Sequence, residues 1–147
     1  MIYEQNPDTF SFSVRVYYED TDAGGVVYYA NYLKFLERCR SECLRSVGID
    51  QADLLRDPGL AFVVRSLKLD YLKPARLDDE LEIGLRIERF SRAQIFFQQQ
   101  IWRRRSADGT VRELLLAGQV QIVCVQVPSM KVASIPDFLR TQLEAFQ

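Results

Sequence analysis

Residues 15–36 read RVYYEDTDAGGVVYYANYLKFL, and the reading of this stretch decides the fold of the rest. An alternating segment runs into a polar turn, Glu19, Asp20, Thr21 and Asp22. Gly24-Gly25 follows, then a run of apolar and aromatic residues, then a helical pattern. Glycine lets backbone approach a ligand closely. The first turn of a helix offers unpaired N–H groups and a partial positive charge. A carboxylate at the mouth of such a turn can serve as acid or base beside a donor that polarises a carbonyl. The same residues equally suit a strand-to-helix loop in which aspartates cap the helix and shape the turn. Pattern alone leaves both readings open.

Outward from this stretch, the periodicity changes in a regular order. On its N-terminal side, after an irregular 1–9 with a turn at Pro7-Asp8, residues 10–18 alternate Phe10, Phe12, Val14, Val16 and Tyr18 against Ser11, Ser13, Arg15 and Tyr17, a half-buried strand. On its C-terminal side, Tyr32, Phe35, Leu36, Cys39, Cys43, Leu44 and Val47 recur at three- and four-residue steps, predicting one long helix over 29–47 closed by Gly48. Residues 50–57 form a short helix or turn with Asp50 as N-cap, broken by Pro58-Gly59. Strands are expected at 60–72, 80–90, 93–104 and 111–127, with a tight turn at Ser91-Arg92, an Asp108-Gly109 hairpin and a bend near Gly118. Pro136 is placed to open a short helix over 137–146 at its first position. One strand, a long helix and a run of hairpin-connected strands make an α+β chain. The helix has a broad apolar face that needs a sheet to lie on.

Composition removes several function classes. The 147 residues suit a single domain, 1–147. A net charge of −1 provides no global field for nucleic acid or an anionic membrane. No apolar run reaches a membrane span, and the first twelve residues lack the pattern of a secretory signal, so a cytoplasmic location is expected. Three cysteines without paired spacing argue against a disulfide framework. No metal is expected. Above all, the chain contains no histidine, which excludes Ser-His-Asp and Cys-His catalysis and histidine bases. Any acid–base work falls to carboxylate, Lys, Tyr, Cys or water. The run Arg103-Arg104-Arg105 with Arg112 reads as a solvated hairpin edge, and Phe90, Phe96 and Phe97 read as core.

The pattern YYEDTDAGGVVYYANYLKFLERCR, Tyr17 to Arg40, resembles the hot-dog acyl-CoA thioesterases of the 4-hydroxybenzoyl-CoA thioesterase type, and more closely those encoded with the bacterial Tol-Pal system. The resemblance continues through LDYLKPARLDDELEI, Leu69 to Ile83, and spans nearly the whole chain in element order. It implies a curved antiparallel sheet of about five strands wrapped around one long helix. It implies that Asp22, directly before Ala23-Gly24-Gly25, is the catalytic carboxylate, and that the Tyr29 backbone N–H at the helix start polarises the thioester carbonyl. Gly24, Gly25, Tyr28 and Asn31 are then expected to line the substrate, with Arg92 and Lys131 near the coenzyme. At Tyr29 the Tol-Pal-associated members carry histidine and the 4-hydroxybenzoyl-CoA enzyme tyrosine, so this chain departs from the nearer group there. No cofactor is implied, since CoA is part of the substrate.

The expected reaction is hydrolysis of an acyl-CoA or acyl-carrier-protein thioester, in a homodimer or homotetramer, without nucleic acid or an integral membrane segment. A non-catalytic hot-dog module that binds acyl groups or a protein is the alternative. It needs neither the carboxylate nor the Gly-Gly turn.

Overall fold

The computed structural model describes residues 7–147, so part of the irregular segment expected over 1–9 lies outside the described residues. The elements, in order, are β1 (Phe10–Arg15), α1 (Asn31–Ser46), α2 (Gln51–Arg56), β2 (Leu60–Tyr71), β3 (Glu80–Phe90), β4 (Gln94–Arg104), β5 (Arg112–Gln126), β6 (Lys131–Val132) and α3 (Asp137–Leu143). All strand pairings are antiparallel, in the order β1-β3-β4-β5-β2, with the two-residue β6 added on β5. The expected five strands are therefore present, with one short addition.

α1 spans about 24 Å at the usual helical rise and lies on the sheet through the face its spacing implies. Tyr32, Phe35, Leu36, Cys39, Cys43 and Leu44 are buried. They meet Leu81, Ile83, Leu85 and Ile87 of β3, Ile95, Phe97 and Ile101 of β4, and Val120, Ile122 and Cys124 of β5. Each large apolar side chain removed from water this way contributes about 1.5–3 kcal/mol. A buried Gln99 ties sheet to helix, donating to the Leu36 carbonyl at 3.1 Å and accepting from Arg40 at 2.9 Å. α1 ends in a Schellman motif: the Gly48 N–H bonds the Arg45 carbonyl, the Ile49 N–H bonds the Leu44 carbonyl, and Gly48 has a φ of 82°.

Breaks in strand register bend the sheet around the helix. They fall at Arg65 in β2, Glu88 in β3 and Leu115 in β5, each an extra residue against its partner strand. The bend expected at Gly118 is thus displaced to Leu115. Gly118 itself is glycine because β2 crosses so close that a Cβ would lie 2.2 Å from the Lys68 carbonyl oxygen. Outside the curve, Gly84 leaves a notch on β3 that the Asp8 carboxyl fills.

Three boundaries differ from the periodicity. β1 stops at Arg15 and not at Tyr18: the Val16 N–H closes the ladder on the Asp79 carbonyl, and Tyr18–Asp20 turn into a 3-10 helix. α1 begins at Asn31, leaving Tyr29 in the turn before it. Pro136 occupies the N-cap of α3, whose first helical residue is Asp137. The strand after α2 also takes an unexpected place. β2 pairs only with β5, at the far edge from β1, and Leu72–Asp79 must then cross back to β3. This crossover passes the start of α1 and meets the glycine turn.

Candidate active site

The site is built on a small hairpin between β1 and α1. The Asp22 N–H donates to the Val26 carbonyl at 2.9 Å, Thr21 pairs with Val27, and the Tyr28 N–H donates to the Asp20 carbonyl at 3.1 Å. Asp22 stands at the tip. Its carbonyl accepts the Gly25 N–H at 3.1 Å and its Oδ1 accepts the Gly24 N–H at 2.8 Å. Backbone and side chain are thereby both held. Gly25 has a φ of 79°, the left-handed region that favours glycine. At Gly24 a Cβ would press within 3.2 Å of the Asp22 carboxylate. The carboxylate is exposed to solvent and oriented by its neighbours.

The return leg of the hairpin leads through Tyr28, Tyr29 and Ala30 into α1. Ala30 is the N-cap and supplies no side-chain hydrogen bond, so the helix start has no side-chain cap. Among the described residues nothing accepts from the Tyr29 N–H. An anion or a polarised carbonyl is the partner such a helix start suits. Tyr28 and Tyr29 are exposed, with ring centroids 4.7 Å apart. The Tyr71 hydroxyl donates to the Tyr29 carbonyl at 3.1 Å. The Tyr29 phenol beside Tyr28 raises the latter's pKa above the ordinary phenol value, and burial does the same for Tyr71. Neither phenol is a base at neutral pH.

The crossover after β2 supports this hairpin from below. The Val27 N–H donates to the Ala75 carbonyl at 2.8 Å, the Leu77 N–H to the Gly25 carbonyl at 3.3 Å, and Val26 pairs with Arg76. The Tyr32 hydroxyl of α1 accepts the Ala75 N–H at 3.0 Å. Beneath lies Arg103, 8% exposed, donating to the Pro74 carbonyl at 2.7 Å and paired at 3.3 Å with both Asp79 and Glu113. The run 103–105 is thus only partly a solvated edge. Its first arginine is buried because β4 carries it under the crossover. The other arginines pair with carboxylates: Arg104 with Glu80, Arg105 with Glu113 and Arg112 with Glu82.

Of the residues expected at the site, Asp22, Gly24, Gly25, Tyr28 and Tyr29 come together on the hairpin. Asn31 turns inward, 6% exposed, with its amide bonded to Asp20 at 3.0 Å. Arg92 and Lys131 lie at the other end of the sheet. Arg92 follows the far end of β3 and donates to Ser134 at 2.7 Å, three residues beyond Lys131. Phe97 is core as expected, whereas Phe96 points outward beneath the Arg89 guanidinium, 3.6 Å from its ring centroid. Position parity shows why: adjacent strand residues face opposite ways. The Asp20–Asn31 bond, Tyr32, Tyr71 and Arg103 escape sequence reasoning. Only the position of Tyr71 inside LDYLKPAR hints at a role.

A helix cradled by one curved antiparallel sheet and entered through a carboxylate-bearing hairpin is the hot-dog arrangement, a class set here by fold alone. Sequence comparison narrows it: the Thioesterase superfamily profile matches residues 24–109, and the chain belongs to that superfamily, a family of thioester hydrolases. It is 44% identical over 127 residues to the acyl-CoA thioesterase YbgC of Haemophilus influenzae, covering 86% of this chain and 88% of that one. A probable thioesterase from Bartonella henselae superposes with a TM-score of 0.77 at 37% identity, over 86% of this chain and 98% of the other. The 4-hydroxybenzoyl-CoA thioesterase, at 18% identity and a TM-score of 0.80 over 90% of this chain and 96% of that one, shares the fold.

Proposed function

We propose that the protein hydrolyses an acyl-CoA thioester to the free acid and CoA, with Asp22 as its catalytic carboxylate. The observation that carries this reading is the pinned Asp22 carboxylate on the same hairpin that leads into an uncapped helix start. The Tyr29 N–H polarises the thioester carbonyl and stabilises the oxyanion, a contribution of about 2.7–4 kcal/mol per donor in comparable sites. Asp22 then acts in one of two ways. As a nucleophile it bonds to the acyl carbon, the C–S bond breaks, and water cleaves the resulting anhydride. As a general base it takes a proton from the attacking water while the thiolate departs. Thiols are acidic enough to leave without a strong acid, which suits a chain lacking histidine. Gly24, Gly25 and Tyr28 line the approach to the reacting carbon.

The coenzyme end of the substrate is assigned to Arg92 and Lys131. Along β3 they stand about 30 Å from the Asp22 hairpin, at 3.3 Å per residue. One substrate is therefore served by the Asp22 hairpin of one copy and the basic end of another, which makes the working unit a homodimer, paired further into a homotetramer. No helix among the described residues is long and apolar enough to cross a membrane. We assign the enzyme to the cytoplasm and, by its resemblance, to the Tol-Pal-associated group. An acyl-carrier-protein thioester presents the same pantetheine arm and is the second substrate to assay.

The test is thiol release from a panel of acyl-CoAs by wild-type protein and Asp22→Asn side by side. Loss of turnover by at least about 10³-fold in a folded variant is expected. Retained turnover refutes the assignment of Asp22. Rapid-quench mass spectrometry separates the two routes, since only the nucleophilic one leaves an acyl group on Asp22.

A further inference from the structure

The proposed reaction makes no use of Asp20, yet Asp20 is the buried carboxylate of the hairpin. It is 8% exposed; one oxygen accepts the Tyr17 N–H at 2.9 Å and the other accepts the Asn31 amide at 3.0 Å. Its main chain adds two further bonds, to the Tyr17 carbonyl at 3.0 Å and from the Tyr28 N–H at 3.1 Å. Asn31, equally buried, is the first residue of α1. Polar groups at this depth are costly unless fully bonded. A capping side chain would bond back to the helix's own N–H groups, whereas Asn31 reaches eleven residues back to the other leg of the hairpin.

We propose that Asp20 and Asn31 are positioning residues whose mutual bond fixes the Asp22 carboxylate relative to the Tyr29 N–H at the entry to α1. This rests on the catalytic reading of Asp22. Asp20 is two residues from that carboxylate, and Asn31 is two residues from Tyr29. The main-chain bonds here tie the Asp22 leg to the return leg, through Asp22 to Val26, Thr21 to Val27 and Tyr28 to Asp20, and the 2.8 Å turn from the Asn31 N–H to the Tyr28 carbonyl lies within the return leg. The side-chain pair joins that leg directly to the helix. A carboxylate and an oxyanion donor must both meet one carbonyl group, and a misplacement of about 1 Å costs up to 10²-fold in rate. This assignment gives Asn31 a role that does not involve touching substrate.

A reciprocal exchange tests it. Asp20→Asn keeps the size but leaves one oxygen for two donors. Asn31→Asp sets two carboxylates face to face. The double variant Asp20→Asn/Asn31→Asp restores every bond: the amide now donates in the opposite direction, and its oxygen still accepts the Tyr17 N–H. Each single variant is expected to lower kcat about 10–100-fold with KM nearly unchanged, and the double variant to regain most of the loss.

Three results overturn the proposal: single variants with unchanged kcat, a rise confined to KM for Asn31→Asp, or a double variant that recovers thermal stability while kcat stays low. Should a single variant not fold, the double variant decides by the same kcat criterion. Asp22→Asn is assayed alongside. If it remains active, the proposed function fails. If it is inactive while the exchange series leaves kcat untouched, only the positioning role fails.

Discussion

Asp8 shows how much one missing Cβ governs. Its carboxyl rests in the Gly84 notch, where a Cβ would lie 1.8 Å from Oδ2, and that oxygen is buried without a hydrogen-bond partner among the described residues. Burial raises its pKa to about 6 from 3.8, with Glu82 adding to the rise and Arg112 opposing it. A group with a raised folded pKa holds its proton more tightly folded than unfolded. The contribution of Asp8 to stability is therefore fully present below about pH 4 and is lost as pH rises through about 6. The loss is about 1–2 kcal/mol after allowance for the solvent that still reaches the group. Denaturation midpoints of Asp8→Asn across pH 4–7 should lack this slope; an identical slope would show that another group causes it. The notch is invisible in the sequence, since ELEIGLRI reads only as a strand containing a glycine. Asp22 differs. The absence of histidine left a carboxylate as the leading candidate for catalysis, and the family resemblance, which sets the active carboxylate directly before the glycine turn, implied Asp22 among Glu19, Asp20 and Asp22. Its partner Asp20 could not be told from a capping residue, because burial depends on where α1 lands.

At the scale of elements, periodicity located the long helix and every long strand, because each carries a half-buried face with a clean repeat. What it lacked was order in space. Nothing in LAFVVRSLKLDY states that this strand pairs with β5 and not with β3. That choice creates the crossover over Arg103. Replacing Arg103 by Met removes two ion pairs and leaves the Pro74 carbonyl without its donor. Breaking a pair this buried costs about 3–5 kcal/mol. The expected result is a lower thermal midpoint together with a fall in kcat, as the crossover loosens beneath the hairpin. A stability loss with kcat intact would mean that the crossover does not brace the site. The early end of β1 has a similar cause: Asp20, by accepting the Tyr17 N–H, draws Tyr18 out of the strand and into the turn.

At the scale of the molecule, the proposed division of one substrate between the Asp22 hairpin and Arg92 predicts sharing between copies. Asp22→Asn and Arg92→Ala subunits, mixed by denaturation and renaturation, should recover about a quarter of wild-type activity at substrate concentrations below KM. Random pairing makes half of the dimers mixed, and one of the two sites in each is intact. Activity no greater than the sum of the separate variants would place both residues in one chain's site, or Arg92 outside it. The crossover also has a consequence in time. The Asp22 hairpin is braced by Ala75 and Leu77, some 48 and 52 residues from Val27 and Gly25, after a strand that must first find the far edge of the sheet. Contacts so distant along the chain form slowly, because loop closure must precede them. Renaturing protein is therefore expected to regain its far-ultraviolet dichroism before its turnover. A newly made chain would hold a folded helix and hairpins for an interval in which it cannot yet act on a thioester.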